Sequence, residues 1–386
     1  MNLTHPDFAV VTVAGTNGKG STVAMLEAIL HAAGYRVGAY SSPHLLRYNE
    51  RVRVAATEVA DDELCDAFEC IESSLSSASL TYFEFGTLAA LHIFKSRAVD
   101  IALLETGLGG RLDAVNIIDA DVAIVTSVGV DHTDWLGPDR ENIGREKAGI
   151  FRQGRPAVCA DPTPPVSIEQ TARAIGAPLY QYGREFSLQR DEAAWSWRFR
   201  ERSRGGLPYP AMRGRHQLFN GAAALMALEL LSDRFPVVQQ HIRQGLLQAV
   251  LPGRFQTLPG RPVRVLDVAH NAQAAEVLAE SLRQQPVNGR TLAVFAMLKD
   301  KAIGDVAAQM RPLVDEWYVA GLPEPRGASS DELVSALTGA GVVARVRGCT
   351  TVVDAYKMAC DDARENDRIV IFGSFYTVSD ILRVKR

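Results

Sequence analysis

The chain has 386 residues, 47% of them hydrophobic, with a formal net charge of -4. That length allows two or three cores, and the scattered Lys and Arg with a slightly acidic balance argue against a long nucleic-acid partner. Five cysteines without a CxxC pair suit no disulfide framework, residues 1–6 carry no leader pattern, and no apolar run approaches the roughly 20 residues of a membrane span, so the expectation is a cytoplasmic protein with no membrane partner.

Residues 8–14 read as a buried strand, followed by Gly15-Thr16-Asn17-Gly18-Lys19-Gly20-Ser21-Thr22 and a helical pattern through Val23, Leu26, Leu30 and Ala33. Strand, glycine turn with lysine, then helix is how phosphate is held. Glycines turn backbone N–H groups toward an anion, the helix N-terminus adds partial positive charge, Lys19 reaches terminal phosphates, and a hydroxyl takes Mg²⁺. Against the common Walker pattern, Val13 stands where the first glycine belongs, and Gly20 is inserted between Lys19 and Ser21-Thr22.

Further along, residues 36–40 read as a strand, 41–53 as a polar loop entering another strand, and 61–73 and 81–95 as helices. The apolar runs 100–105 and 121–128 suit parallel strands buried on both faces. Ligands of open α/β sheets sit beyond the carboxyl ends of the strands, so the loops starting at Gly15, Ser41, Glu105 and Gly129 are expected to share one crevice.

Trp195, Trp197 and Phe199 alternate at period two, which predicts an antiparallel excursion with the rings packed in a core. Helical patterns at 216–231 and 237–250 end at Leu251-Pro252-Gly253-Arg254, where the domain boundary falls. The expected fold is α/β: a P-loop doubly wound domain over 1–252 and a smaller Rossmann-like α/β domain over 253–386. In the latter, strands at 263–268, 291–295, 316–319 and 368–372 alternate with helices near 273–283, 301–310, 329–338 and 352–364.

Several residues carry chemistry or a plainer alternative. Glu105 closes an apolar strand, where its carboxylate either holds Mg²⁺ or is simply solvated; His132, after Asp131, is either a crevice ligand or a loop histidine. Lys147 reads by itself as an exposed helix lysine, Asn220 as a helix cap, and Arg254, Asp267 and His270 as loop residues.

Resemblance bears on these alternatives. The segments Gly15 to Thr22, Leu104-Glu105-Thr106-Gly107-Leu108-Gly109-Gly110-Arg111-Leu112-Asp113-Ala114 and Thr126-Ser127-Val128-Gly129-Val130-Asp131-His132-Thr133 resemble the folate branch of the Mur ligase superfamily, the dihydrofolate and folylpolyglutamate synthases. The loop Ser41-Ser42-Pro43-His44-Leu45-Leu46-Arg47-Tyr48-Asn49-Glu50-Arg51, Phe83-Glu84, Lys299-Asp300-Lys301 and Leu266-Asp267-Val268-Ala269-His270-Asn271 extend the likeness. It implies ATP binding by residues 15–22, Asn220 (adenine), Arg254 (phosphates) and Asp267 (ribose), with His270 near the nucleotide. It further implies two Mg²⁺ ions on Ser21, Ser42, Glu105, His132 and a carbamylated Lys147, and a folate site at Ser42, Pro43, His44, Arg47, Phe83, Asp113 and Ala114. Gly373-Ser374-Phe375-Tyr376 would lie on the glutamate side.

The implied reaction joins L-glutamate to dihydropteroate and to reduced folates. ATP phosphorylates the acceptor carboxylate, glutamate's neutral amine attacks the acyl phosphate, Lys19, Lys147 and His270 serve the catalysis, and closure at the 252–253 hinge excludes water. A monomer is expected. Single-activity folylpolyglutamate synthase, another Mur-type ligase, and a P-loop kinase or nucleotide switch are the rival readings. Only 14 residues precede Gly15, against the uridine-nucleotide domain of peptidoglycan Mur ligases and the helical segment usual in the folate branch. The expectation is a chain that begins at an internal methionine, less stable or less active than a longer form.

Overall fold

The computed structural model describes residues 3–75 and 78–384; Met1 and Asn2, part of the start read above for a leader, lie outside them. The chain divides into two compact units, Met1–Ala211 with His216–Val250, and Met212–Arg215 with Leu251–Arg386.

The main sheet of the first unit has eight strands: β1 (Ala9–Ala14), β2 (Val37–Tyr40), β3 (Val52–Val54), β4 (Thr57–Glu58), β5 (Ile101–Glu105), β6 (Val122–Val125), β7 (Ala157–Cys159) and β8 (Leu179–Gln181). Their order is β4-β3-β2-β5-β1-β6-β7-β8, parallel from β2 to β8 and antiparallel at β3 and β4. Every residue of β1, β2, β5, β6 and β7 is buried, which is why these strands read as unbroken apolar runs rather than alternating ones. A sheet covered on both faces needs helices on both.

The helices of this unit are α1 (Lys19–Ala32), α2 (Asp61–Ser74), α3 (Tyr82–Ser96), the single-turn α4 (Thr133–Leu136), α5 (Arg140–Ala148), α6 (Val166–Ile175), α7 (His216–Leu230) and α8 (Gln239–Gln248), of which α1, α3 and α7 pack directly on the sheet. Helix α1 packs against α7 and α8 and is buried almost all round. The α1–α8 approach needs Gly245, where an added Cβ would stand 2.4 Å from the Ile29 side chain and 2.6 Å from its backbone. Helix α3 starts in a capping box, with Glu84 N–H donating to Thr81 Oγ1 and Thr81 N–H to the Glu84 carboxylate.

The antiparallel excursion is a three-stranded sheet of β9 (Phe186–Arg190), β10 (Trp195–Phe199) and β11 (Arg202–Leu207). Trp195 and Trp197 are buried, and the Trp195 indole N–H donates to the Pro208 carbonyl at 2.9 Å. The alternate residues Ser196 and Arg198 face outward, which accounts for the period of two.

In the second unit six strands, β12 (Gln256–Leu258), β13 (Val263–Leu266), β14 (Thr291–Phe295), β15 (Glu316–Ala320), β16 (Arg345–Cys349) and β17 (Arg368–Phe372), lie in the order β12-β13-β17-β14-β15-β16. All are parallel except the β12 edge. Helices α9 (Ala272–Gln284), α10 (Ile303–Met310), α11 (Ser330–Gly339), α12 (Val352–Asp362) and α13 (Phe375–Val384) alternate with them. Phe295, Trp317 and Phe372 meet in the core with ring centroids 4.9 to 6.0 Å apart.

Two readings of the sequence change. Asn220 is no helix cap: it lies in the interior of α7, 5% exposed. Lys147, read by itself as an exposed helix lysine, is 3% exposed on α5.

Candidate active site

The loop after β1 turns through Gly18, whose φ of 89° makes it the left-handed N-cap of α1. A Cβ there would stand 2.4 Å from Asn220 Oδ1, so conformation and space both demand glycine. The first turn of α1 directs its N–H groups toward this loop, the arrangement that binds phosphate. Lys19 Nζ donates to the Gly15 carbonyl at 3.0 Å and the Thr16 carbonyl at 3.4 Å, curling its charge over the loop.

The loop after β6 staples this one in place. Thr16 N–H donates to the Ser127 carbonyl at 2.7 Å, and the Thr16 hydroxyl donates to the Gly129 carbonyl and accepts the Gly129 N–H. Thr126 and Ser127 hydroxyls both donate to the Asn17 carbonyl, at 2.7 and 3.0 Å. The same segment continues to His132, the N-cap of α4 at φ 52°, so the imidazole is carried by a backbone tied to the phosphate loop.

On the other side, Glu105 ends β5 at 4% exposure, and its Oε2 accepts the Ser42 N–H at 3.2 Å. Thus the loops after β2 and β5 meet on one carboxylate. Behind them Arg53 donates to both oxygens of Glu27 at 2.7 to 3.1 Å and to Ser41 Oγ at 3.5 Å. Burial opposes the Arg53 charge, but Glu27 and Glu105 more than restore it.

The 42–51 loop is organised by Glu50, whose carboxylate accepts the N–H groups of Leu45, Leu46 and Arg47 at 2.7, 2.7 and 2.8 Å. Arg51 donates from Nε to His44 Nδ1 at 2.8 Å, and its guanidinium lies over the Tyr48 and Tyr82 rings. Arg47 pairs with Asp61 at the surface. Phe83 stacks near Tyr40 at 5.6 Å and crowds Gly107, where a Cβ would stand 2.8 Å from its ring. Asp113 accepts the N–H groups of Leu108 and Val115 at 2.9 and 3.1 Å, with Ala114 following it; burial raises its pKa, against those bonds and the charge of Lys19.

Lys147 is set by the docking of α5 on the β5 loop. Arg111 N–H donates to the Glu146 carbonyl at 2.9 Å, and a Cβ on Gly110 would stand 2.9 Å from the carbonyls of Glu146 and Lys147. Burial, reinforced by the charge of Lys19 and opposed by Asp131 and Asp113, pushes its pKa down to about 7. An amine so placed is neutral over much of the physiological range.

Within the second unit, Asp267 follows β13 and accepts the N–H groups of Phe255 and Ala269, both at 2.8 Å; burial raises its pKa against the charge of Arg254 and those bonds. The Arg254 guanidinium lies 5.1 Å from the Phe375 ring centroid, and the His270 ring 6.0 Å from it. His270 Nδ1 faces the Val268 carbonyl at 2.8 Å. A carbonyl only accepts, so Nδ1 carries a proton directed at Val268. Among the described residues no three His, Cys, Asp or Glu side chains gather as a metal cluster. The expected donor set holds only two of those kinds, Glu105 and His132, beside hydroxyls and Lys147.

Residues 13–228 match the Mur ligase middle domain and residues 253–375 the Mur ligase glutamate ligase domain. These matches define the class, a P-loop α/β domain followed by a glutamate ligase domain. The dihydrofolate synthase/folylpolyglutamate synthase of Escherichia coli K12 is 47% identical over 384 residues, covering 100% of this chain and 88% of the relative. The structure of E. coli FolC in complex with DHPP and ADP superposes with a TM-score of 0.94 at 45% identity, over 99% of this chain and 90% of that one. A bifunctional folylpolyglutamate synthase/dihydrofolate synthase with Mn, AMPPNP and L-glutamate bound gives 0.93 at 47% identity, over 100% and 91%. The chain belongs to the dihydrofolate synthase/folylpolyglutamate synthase branch of the Mur ligase family.

Proposed function

We infer that this chain is an ATP-dependent ligase that adds L-glutamate to dihydropteroate and to reduced folates through an acyl phosphate. The observation that supports it is the meeting of two loops on Glu105: the 42–51 loop reaches the same strand ends as the phosphate loop, so an acceptor carboxylate bound by the one and a terminal phosphate held by the other would come together at those strand ends.

Residues 15–22 would cradle the phosphates, with Lys19 released from the loop carbonyls to reach them, while Asn220, Arg254 and Asp267 hold the rest of the nucleotide. Ser42, Pro43, His44, Arg47, Phe83, Asp113 and Ala114 would bind the folate, with aromatic faces at Phe83 and hydrogen bonding at Asp113. His270 is the candidate for taking the proton from glutamate's attacking amine. The segment 373–376 would lie on the glutamate side.

Ser21, Ser42, Glu105, His132 and Lys147 would hold two Mg²⁺ ions. The site fits them on its own chemistry: Glu105 is a buried carboxylate, and Lys147 is a buried amine held near neutrality, ready to become an anionic carbamate. When bound, the ions offset charge on the phosphates. No helix among the described residues is long and apolar enough to cross a membrane, and all five cysteines are free, which supports a cytoplasmic setting.

Acyl phosphate formation moves an oxygen from the acceptor carboxylate to inorganic phosphate. With heavy-oxygen-labelled carboxylate, label is expected in the released phosphate; label retained wholly in the amide and water would reject this route.

A further inference from the structure

The two hydroxyls at the start of α1 are held differently. Thr22 Oγ1 is spent within the first turn, donating to the Gly18 carbonyl at 3.0 Å. Ser21 is tied instead to another helix: Gln217 Nε2, on α7, donates to Ser21 Oγ at 3.3 Å. One turn further along α7, Asn220 Nδ2 donates to Gln217 Oε1 at 2.9 Å. Asn220 Oδ1 in turn faces Gly18, where a Cβ would stand 2.4 Å away. Ser21, Gln217 and Asn220 are 2%, 1% and 5% exposed, so water does not substitute for these bonds.

The order of donors and acceptors has a direction. The Asn220 amide N–H needs an acceptor, which fixes the Gln217 amide with its oxygen toward Asn220 and its nitrogen toward Ser21. A serine hydroxyl that accepts from Gln217 keeps a second lone pair for a cation and its own proton for a phosphate oxygen. Without that donor the hydroxyl is free to rotate, and its lone pairs are no longer aimed.

We propose that Gln217 is a positioning residue that aims Ser21 Oγ at the metal and links it to Asn220 at the nucleotide. This rests on the reading of Ser21 as a metal ligand given above.

The test uses the full chain with AMPPNP and Mn²⁺, following free Mn²⁺ by electron paramagnetic resonance. Gln217→Met keeps the volume and removes both hydrogen bonds. Mn²⁺ affinity is expected to fall roughly tenfold in Q217M, by a similar factor in S21A, and no further in the double variant, since Gln217 acts through Ser21. Unchanged Mn²⁺ affinity in Q217M with only a lower thermal midpoint, or additive losses in the double variant, would overturn the proposal. If S21A itself leaves Mn²⁺ affinity unchanged, the metal assignment of Ser21 fails and the proposal with it; if S21A weakens binding and Q217M does not, the proposal alone fails. Should Q217M not fold, Q217A, which leaves room for a water, is read by the same criteria.

Discussion

At Gly18 the chain meets two demands at once, a left-handed turn and the close approach of Asn220, and both serve the phosphate loop. Gly18→Ala is therefore expected to weaken ADP binding by about tenfold or more in calorimetry; unchanged affinity would mean that the loop does not hold the nucleotide in this conformation. Lys147 makes a second residue-level case. Only a neutral amine reacts with carbon dioxide, and a pKa near 7 places its neutral form above that pH rather than above the ordinary lysine value near 10.4. With labelled bicarbonate, a carbamate carbon signal is expected to grow as pH rises through about 7 and to be absent in K147A; a signal identical in the variant would sink the assignment. The linkage runs the same way. Because the folded state gives up this proton earlier than the unfolded one, burying Lys147 costs stability below pH 7, and the cost fades as pH climbs toward 10.4.

Among the elements, the strands that carry the site are short and buried, and their register is pinned from behind. Asp367, just before β17, shows how: its carboxylate accepts the N–H groups of Arg290 and Arg364 at 2.7 and 2.9 Å and the Arg290 guanidinium at 2.9 Å. Burial opposes its charge, but these bonds outweigh burial and hold the carboxyl below its usual range. Asp367→Ala is expected to cost about 2 to 4 kcal/mol in urea unfolding at pH 7. A depressed carboxyl stabilises above its unfolded pKa, so the gap between wild type and variant should persist down to about pH 4 and close below it; a gap independent of pH would show that packing, and not the charge, is at work.

The same scale shows which elements the sequence reveals. Strands β14 (Thr291–Phe295) and β17 (Arg368–Phe372) are legible because each carries an unbroken apolar run of four after one polar residue. Strand β16 goes unread: in Arg-Val-Arg-Gly-Cys only Val346 faces the core opposite the two arginines, too little to show a period, and the strand is an edge paired with β15 while Arg345 and Arg347 reach Glu316. Likewise β7 and β8 have three residues each, too few to show a period.

For the molecule as a whole, the site is legible wherever its signal is local in sequence. The phosphate loop and His132 come just after strands and Glu105 ends one, so each is a candidate that reading along the chain can pick out. Gln217 cannot, because its partner Ser21 lies 196 positions away, and neither can the pairing of Arg53 with Glu27, which sit on different elements. The burial of Lys147 is hidden for the same reason, since nothing in Arg145-Glu146-Lys147-Ala148 announces that the β5 loop packs over it. What the fold adds to the motifs is their convergence at one set of strand ends in the first unit.

That convergence is meant to couple ATP use to amide formation, and product analysis by mass spectrometry measures the coupling directly. With ATP, Mg²⁺ and L-glutamate, dihydropteroate and a reduced folate should each gain a glutamyl residue, with one ADP and one phosphate released per bond formed. ADP release that continues unchanged when glutamate or the folate acceptor is omitted, or a stable phosphorylated product without glutamate, would contradict the ligase reading.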